Sequence, residues 1–325
     1  MRRALAVGVL MLAACGPGDG APERTFHVSS ASPSAAGTNA AAAVWRRLAD
    51  ITTPRSEVAA AVFRGVIYVV GGFGGGTVAE TYIADKWSVA PRYPIAVDHA
   101  MAAGVDTAGT PGLYVFGGNV NGVSVARSFR FFGDQGWREI APMPGPRSQG
   151  AAVAIGGRIY LVGGAQGDRL VSPTYVYDTA SDRWTMAAPL PTPRDHLAAA
   201  AIDGRVCAVG GRKLSLLQNL AAFECYDPAA DAWQAMPDAP RARGGIGAAT
   251  IGARIFVAGG EQPLGTFKEV DIFDSVAGKW TRGPDLPTAR HGLGVISVGG
   301  TLYVMSGGPT PGVSQTPVCE ALDVR

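Results

Sequence analysis

Five arginines recur at one position of an internally repeated sequence and are the most regular set of residues with chemical potential. They are Arg55, Arg147, Arg194, Arg243 and Arg290, and Val97 takes the position between the first two. A guanidinium presents paired donors in one plane, which suits carboxylate or phosphate. Gathered around one opening, these arginines are predicted to bind an anionic ligand. In the alternative interpretation, acidic neighbours such as Glu57, Asp98 and Asp195 neutralise the arginines within the protein.

Histidines form a second candidate set close to the same positions. His99 and His196 occupy equivalent places in two repeats, each directly after an aspartate, and His291 lies one residue earlier in its own repeat. An imidazole oriented by a carboxylate is typical of metal binding or of acid–base catalysis. Three residues among six repeats also coincide by chance, so we predict neither a metal ion nor another cofactor. Asp195, His196 and His291 are predicted to contribute to ligand binding together with the arginines.

These residues are carried by one unit repeated six times. Five Gly-Gly pairs recur every 46 to 49 residues, and Ser306-Gly307 takes the sixth place. The six tryptophans keep the same period, at Trp45, Trp87, Trp137, Trp184, Trp233 and Trp280. Each unit contains four short apolar or β-branched runs separated by turn residues, which predicts four strands. A period of about 47 residues with four strands is typical of one blade of a β-propeller.

The two ends of the repeated region complement each other. Residues 45–48 resemble a fourth strand that lacks the first three, and residues 318–323 resemble a third strand that lacks the fourth. Pairing them completes a blade, closes the ring and removes two open sheet edges. We therefore predict an all-β, six-bladed propeller over residues 43–325, closed by pairing the N-terminal strand with the three C-terminal strands.

The order of apolar strand, turn, aromatic residue, Gly pair, Tyr-x-Tyr-Asp strand and Trp resembles the Kelch repeat. Kelch propellers include protein-binding adaptors, sugar-binding proteins, copper radical oxidases and a periplasmic sialic acid epimerase. The oxidase chemistry needs a cross-linked Tyr-Cys pair with further Tyr and His ligands, and no cysteine here falls in a predicted channel-facing loop. The epimerase resemblance implies proton transfer by Glu57, His99, His196 or Glu261, with the arginines holding the carboxylate of an acidic sugar.

The N-terminus resembles that of bacterial lipoproteins. Arg2 and Arg3 precede the apolar run 4–14, and Leu12-Ala13-Ala14-Cys15 resembles a lipobox, which implies lipidation of Cys15. We predict a signal peptide at residues 1–14, a flexible Gly-, Ser-, Pro- and Ala-rich tether at 15–42, and the propeller at 43–325. The predicted location is the cell envelope, at the outer membrane or cell surface, with the propeller in the periplasm or outside the cell. The lipid anchor is the only predicted membrane contact.

Charge and cysteine content narrow the possible partners. The chain has 28 basic and 26 acidic residues, a balance that does not favour nucleic-acid binding. Cys207 and Cys225 fall on adjacent antiparallel strands of one predicted blade and are proposed to form a disulfide, as an exported protein permits. Cys319 is expected to be a buried thiol. The sequence as a whole predicts a binding module that recognises a protein or a glycan on one loop face, and the alternative is the acidic-sugar enzyme described above.

Overall fold

The computed structural model describes residues 43–106 and 108–324, and these residues form six antiparallel blades. The strands are given from the channel outwards. Blade 1 contains Ala59–Phe63, Val66–Val70, Ala79–Ile83 and Lys86–Val89, and blade 2 contains Met101–Val105, Gly112–Phe116, Ser128–Phe131 and Trp137–Ile140. Blade 3 contains Ala151–Ile155, Arg158–Val162, Thr174–Asp178 and Arg183–Ala187. Blade 4 contains Ala198–Ile202, Arg205–Val209, Phe223–Asp227 and Ala232–Ala235. Blade 5 contains Gly244–Ile251, Arg254–Gln262, Val270–Asp274 and Lys279–Arg282, and blade 6 contains Gly294–Val298, Thr301–Met305, Cys319–Asp323 and Trp45–Arg47.

Short two-residue strands lie in the loops between the second and third strands of three blades. Asn119–Val120 pairs with Val123–Ser124, Ala165–Gln166 pairs with Arg169–Leu170, and Gly265–Thr266 pairs with the end of the second strand of blade 5. The helical segments of the described residues are two single 3₁₀ turns, Gly133–Gln135 and Leu216–Gln218. Among the described residues, no helix is long and apolar enough to cross a membrane.

The predicted closure of the ring is confirmed. Trp45 pairs with Leu322, and Arg47 pairs with Glu320, so the N-terminal strand becomes the outer strand of blade 6. Backbone bonds from Leu48 to Cys319 and from Ile51 to Pro317 extend the contact beyond the strand. The last blade therefore contains both ends of the propeller.

The six tryptophans tie neighbouring blades together. Each indole N–H donates to a backbone carbonyl that lies 38 to 46 residues earlier in the chain, except that Trp45 reaches forward to Pro284. The acceptors in order are Pro284, Ala49, Pro91, Ala141, Ala188 and Pro237. A buried or half-buried indole needs a partner for its N–H. The repeated tryptophan thus joins each blade to the segment that precedes it, all the way around the ring.

Blade 4 contains the predicted disulfide. Cys207 and Cys225 face each other on the second and third strands with their Cα atoms 4.0 Å apart, and their sulfurs are bonded. Cys319 is a buried free thiol, as expected, and burial raises its pKa to about 11. The predicted signal peptide, the tether and Cys15 lie outside the described residues.

Candidate functional site

The channel mouth is built from six equivalent residues, one from each blade. Each lies two positions after the repeated arginine position, just before the first strand or, in blade 5, at its beginning. The six are Glu57, His99, Gln149, His196, Gly245 and Gly292. From His99 to Gly292, the backbone N–H of each of these residues donates to the carbonyl of the equivalent residue in the preceding blade, with N–O distances of 2.7–3.0 Å. The N–H of Val58 donates to the carbonyl of Gly292 at 3.5 Å and closes the circle. We call this set the mouth ring.

Every member of the mouth ring has a left-handed backbone. The φ angles lie between 51° and 67°, including those of the four residues that are not glycine. An L-residue in this conformation costs roughly 1–2 kcal/mol relative to a right-handed one. Non-glycine residues held in this way cluster at functional sites, which makes the mouth ring the candidate site of the molecule.

Two of the ring residues are histidines held by aspartates. Nδ1 of His99 is 2.6 Å from Asp98, and Nδ1 of His196 is 2.6 Å from Asp195. Asp98 also accepts from the Asn119 amide at 3.3 Å. The two imidazoles meet edge to face with ring centres 5.1 Å apart. The predicted equivalence of His99 and His196 therefore places both rings in the same small space.

Glu57 connects these histidines to the third one. One carboxylate oxygen of Glu57 is 3.4 Å from Nε2 of His99, and the other is 3.0 Å from Nδ1 of His291. A Cβ at Gly292 would lie 2.5 Å from the Glu57 carboxylate. Glycine at this ring position therefore makes room for the carboxylate to reach His291.

Glu261 joins the cluster from the end of the second strand of blade 5. It lies 3.6 Å from Nδ1 of His291 and 2.6 Å from the Arg212 guanidinium, and it accepts from the N–H of Gly312 at 2.9 Å. Arg212 also lies 3.7 Å from Asp195. Glu57, His99, His196, Glu261, His291 and Asp195, all named from the sequence, are thus brought together at the mouth.

Burial and neighbouring charges shift the pKa values of these groups in different directions. Burial opposes ionisation of Glu57, but the facing His99 and the hydrogen bond with His291 outweigh it and hold its pKa well below the usual range. Burial also lowers the pKa of His99, yet the Glu57 and Asp98 carboxylates more than offset this and raise it. For His196 burial prevails, so its pKa is lowered despite the bond to Asp195. Neighbouring imidazoles with opposite shifts are characteristic of functional sites.

The repeated arginines lie elsewhere, which corrects their predicted placement around one opening. Arg55, Arg147, Arg194, Arg243 and Arg290 are 0–1% exposed. Their guanidinium groups point into the blades and bond to backbone carbonyls, as Arg194 does with Ala208 and Gly210. We assign them to blade stability rather than to binding.

Four of these arginines are paired with a carboxylate on the third strand of the same blade. The pairs are Arg55 with Glu80, Arg194 with Glu224, Arg243 with Asp271, and Arg290 with Glu320. These partners differ from Glu57, Asp98 and Asp195, the neighbours that the sequence suggested. The two other blades depart from the ion pair: Arg147 stacks on the Tyr175 ring at 4.1 Å, and in blade 2 Val97 and Phe129 lie in one apolar cluster.

The loops beside the mouth carry exposed apolar tips. They follow the second strand, and backbone bridges such as Asp195 with Arg212 and His291 with Gly308 place their starting residues next to the mouth ring. We call the large exposed apolar residues on these loops the apolar rim: Val123, Leu214, Leu217, Leu264 and Val313, which are 65%, 44%, 83%, 97% and 77% exposed. Four blades contribute to it. Large apolar groups in contact with water around a polar recess are typical of an interaction surface.

Sequence reasoning did not identify Gln149, Gly245 and Gly292 as site residues, and it did not predict the contact of Arg212 with Glu261. Gln149 and the two glycines share the position of Glu57, His99 and His196, so the repeat alignment contains the signal. Arg212 follows a Gly pair directly, and its direction depends on Glu261 from the next blade. That contact is not readable from the order of residues.

Comparison with known proteins supports the Kelch assignment. Residues 146–191 and 242–287 match the family model described as Kelch motif. A stretch of 148 residues is 27% identical to Kelch repeat and BTB domain-containing protein 1 of camelpox virus (strain CMS), covering 42% of this chain and 25% of that protein. Another of 135 residues is 30% identical to beta-scruin of Limulus polyphemus, covering 37% of this chain and 14% of that protein. The chain thus spans a quarter or less of the length of these relatives.

A solved structure shares the architecture. The structure of YjhT has a TM-score of 0.72 and 16% sequence identity, covering 83% of this chain and 95% of that one. At this identity the likeness shows the fold alone. The predicted all-β, six-bladed propeller is confirmed, and two stretches of it match the Kelch motif. The predicted site roles and the lipoprotein-type N-terminus stay predictions.

Proposed function

We propose that the propeller is an interaction module that docks a protein ligand on its loop face. The observation that carries this proposal is the apolar rim. Covering exposed apolar side chains with a protein partner removes them from water and is favourable. Here five apolar tips from four blades surround the mouth, and they project from loops that a rigid scaffold holds in place.

The composition of the mouth favours this proposal over recognition of an acidic sugar. Glu57, Glu261, Asp98 and Asp195 face the mouth, and Arg212 is the one guanidinium among the cluster residues described above. A carboxylate ligand would meet net negative charge there. The five arginines expected to hold it are buried in the blades. A glycan without an acidic group remains the alternative ligand.

The proposal predicts that charges on the rim abolish docking. Immobilised protein carrying Leu217→Asp and Leu264→Asp is compared with wild type for capture of proteins from extracts of the cells that produce it. An introduced carboxylate must be desolvated in the interface, so the double variant should lose the specific partner. Val276→Asp serves as control because Val276 is 86% exposed in the turn between the outer strands of blade 5, outside the loops that carry the rim.

Equal capture by all three proteins contradicts docking on the rim. If the rim substitutions leave capture unchanged but free neutral glycans compete with it, the ligand is a carbohydrate that binds at the mouth, and not a protein on the rim.

We further propose that the module is exported and anchored by a lipid on Cys15. The lipobox-like segment 12–15 supports this proposal, and so does the Cys207–Cys225 disulfide, because such bonds persist in oxidising compartments. Wild-type protein is expected in the membrane fraction, and Cys15→Ala in the soluble fraction of the envelope. Cytosolic protein, or membrane association that is independent of Cys15, contradicts the anchor.

A further inference from the structure

Two histidines and one glutamate of the mouth ring have the geometry of a metal site. We propose that Glu57, His99 and His196 bind a divalent transition-metal ion of the Zn²⁺ class on the axis of the channel. One carboxylate oxygen and one nitrogen of each imidazole lie within 4.8 Å of one another. Ligands bound at about 2.1 Å to a tetrahedral ion are roughly 3.4 Å apart, and Nε2 of His99 is 3.4 Å from Glu57.

Both imidazoles are already oriented for this role. The Nδ1 atoms are 2.6 Å from Asp98 and Asp195, so each aspartate fixes a tautomer with the proton on Nδ1 and the lone pair on Nε2. Metal-bound histidines commonly donate their other N–H to a carboxylate in this way, which fixes the ring and increases its basicity. Asp195 is itself held by the N–H of Leu214 at 2.7 Å.

His196 provides an independent observation. Its side chain is 6% exposed, and its Nε2 has no hydrogen-bond partner in the part of the chain that the structure describes. The ring lines a small cavity together with Glu57, His99 and Gln149. This nitrogen is accessible from the cavity and available to a ligand. A cation at the centre of the ring satisfies this atom and Glu57 together.

The charges around the cavity favour a cation. The carboxylates of Glu57, Glu261, Asp98 and Asp195 face the cluster, and among the described residues Arg212 faces them from blade 4. His291 lies against Glu57 and Glu261 with Nδ1, while its Nε2 is 3.1 Å from the carbonyl of Thr310. In the deprotonated form that binds a metal the imidazoles are neutral, and four negative charges then meet one positive charge. A divalent ion reduces this imbalance where attraction is strengthened by burial.

The backbone holds the three ligands in place before any ion binds. Glu57, His99 and His196 share the left-handed conformation, with φ of 52°, 53° and 51°, and belong to one ring of backbone hydrogen bonds. Preorganised ligands lose little conformational entropy on binding. Glu57 is on blade 1, while His99 and His196 come from blades 2 and 4. The site is therefore formed only in the closed propeller.

Three protein ligands leave one position of a tetrahedral ion facing the cavity. Sites with two histidines and one glutamate and an open position are typical of zinc that binds water or a substrate oxygen, whereas purely structural zinc is fully enclosed by protein ligands. The site suits an oxygen donor from a docked partner or from solvent.

Calorimetric titration of chelator-treated protein with Zn²⁺ alone tests the proposal. One ion per chain is expected, with a rise in melting temperature. His99→Ala and His196→Ala should each lose the saturable binding. Asp98→Asn keeps all three ligands but weakens the orienting bond, so Zn²⁺ affinity should fall roughly 10–100-fold. Gln149→Ala is the matched control at an equivalent ring position and should bind Zn²⁺ like wild type.

Folding of each variant is verified by circular dichroism without metal, and the absorption spectrum of Co²⁺ bound in place of Zn²⁺ reports the ligand set. A nitrogen-ligated Co²⁺ spectrum that is altered in Asp98→Asn supports the site even where an alanine variant does not fold. Absence of a Zn²⁺ isotherm in wild type, or equal affinity in wild type and in folded His99→Ala and His196→Ala, overturns the proposal.

Discussion

At the scale of single residues, the mouth ring combines conformational strain with chemical potential. Six equivalent positions adopt φ near 55°, yet only Gly245 and Gly292 are the residue best suited to it. The sequence located Glu57, His99 and His196 correctly because residues at one repeat position share one place in space. It did not reveal that Gly292 clears the path from Glu57 to His291, because that role depends on a distance across blades.

Gln149 allows the backbone strain of the mouth ring to be measured without changing the histidines and carboxylates. Its side chain makes no hydrogen bond among the described residues, so Gln149→Gly removes the unfavourable left-handed side chain at little cost in contacts. The greater entropy of glycine in the unfolded chain offsets part of the gain. We expect the free energy of unfolding to stay constant or rise by up to about 1 kcal/mol, measured by urea denaturation.

Gln149→Ala provides the comparison for this measurement, because it shortens the side chain but keeps the strain. A free energy of unfolding for Gln149→Gly that is lower than that of Gln149→Ala would show that the ring position is not strained.

At the scale of strands and blades, the direction of each repeated arginine is set by the residue that it contacts on the third strand of its own blade. The recurring Arg was visible in the sequence, but its direction was not, since it depends on a carboxylate about 30 residues later, such as Glu224 for Arg194. Blade 2 carries Val97 and Phe129 at the corresponding positions. In blade 2 both halves of the pair are replaced by apolar residues, whereas blade 3 keeps Arg147 and has Tyr175 in place of the carboxylate.

A double-mutant cycle on blade 4 tests this structural role. Arg194→Val leaves Glu224 buried without its partner and should lower the free energy of unfolding by roughly 3–5 kcal/mol. Adding Glu224→Phe recreates the blade 2 combination and should recover most of the loss, because a well-packed apolar pair can replace a buried ion pair. Denaturant unfolding of the two single variants, the double variant and wild type gives the coupling energy.

Additive losses in that cycle would contradict the pairing. A loss below about 1 kcal/mol for Arg194→Val would instead be typical of an exposed ion pair, and would restore the arginine to the list of candidate ligand groups.

At the scale of the whole molecule, the sequence predicted the propeller closely because its evidence is redundant. Six tryptophans, the Gly pairs and the complementary ends all require the same register, and each Trp indole bonds to the neighbouring segment as the repeat requires. The apolar rim was less predictable. Leu217 and Leu264 lie in loops without a repeated pattern, so their exposure and common face emerge only from the folded structure.

Photo-crosslinking in producing cells tests the docking proposal most directly. A photoreactive residue is placed at Leu217, Leu264 or Val276 in otherwise unchanged protein. Docking on the loop face predicts the same protein adduct from positions 217 and 264, and no such adduct from position 276. An adduct formed from position 276 alone, or no protein adduct from either rim position, would contradict the assignment of the loop face as the binding surface.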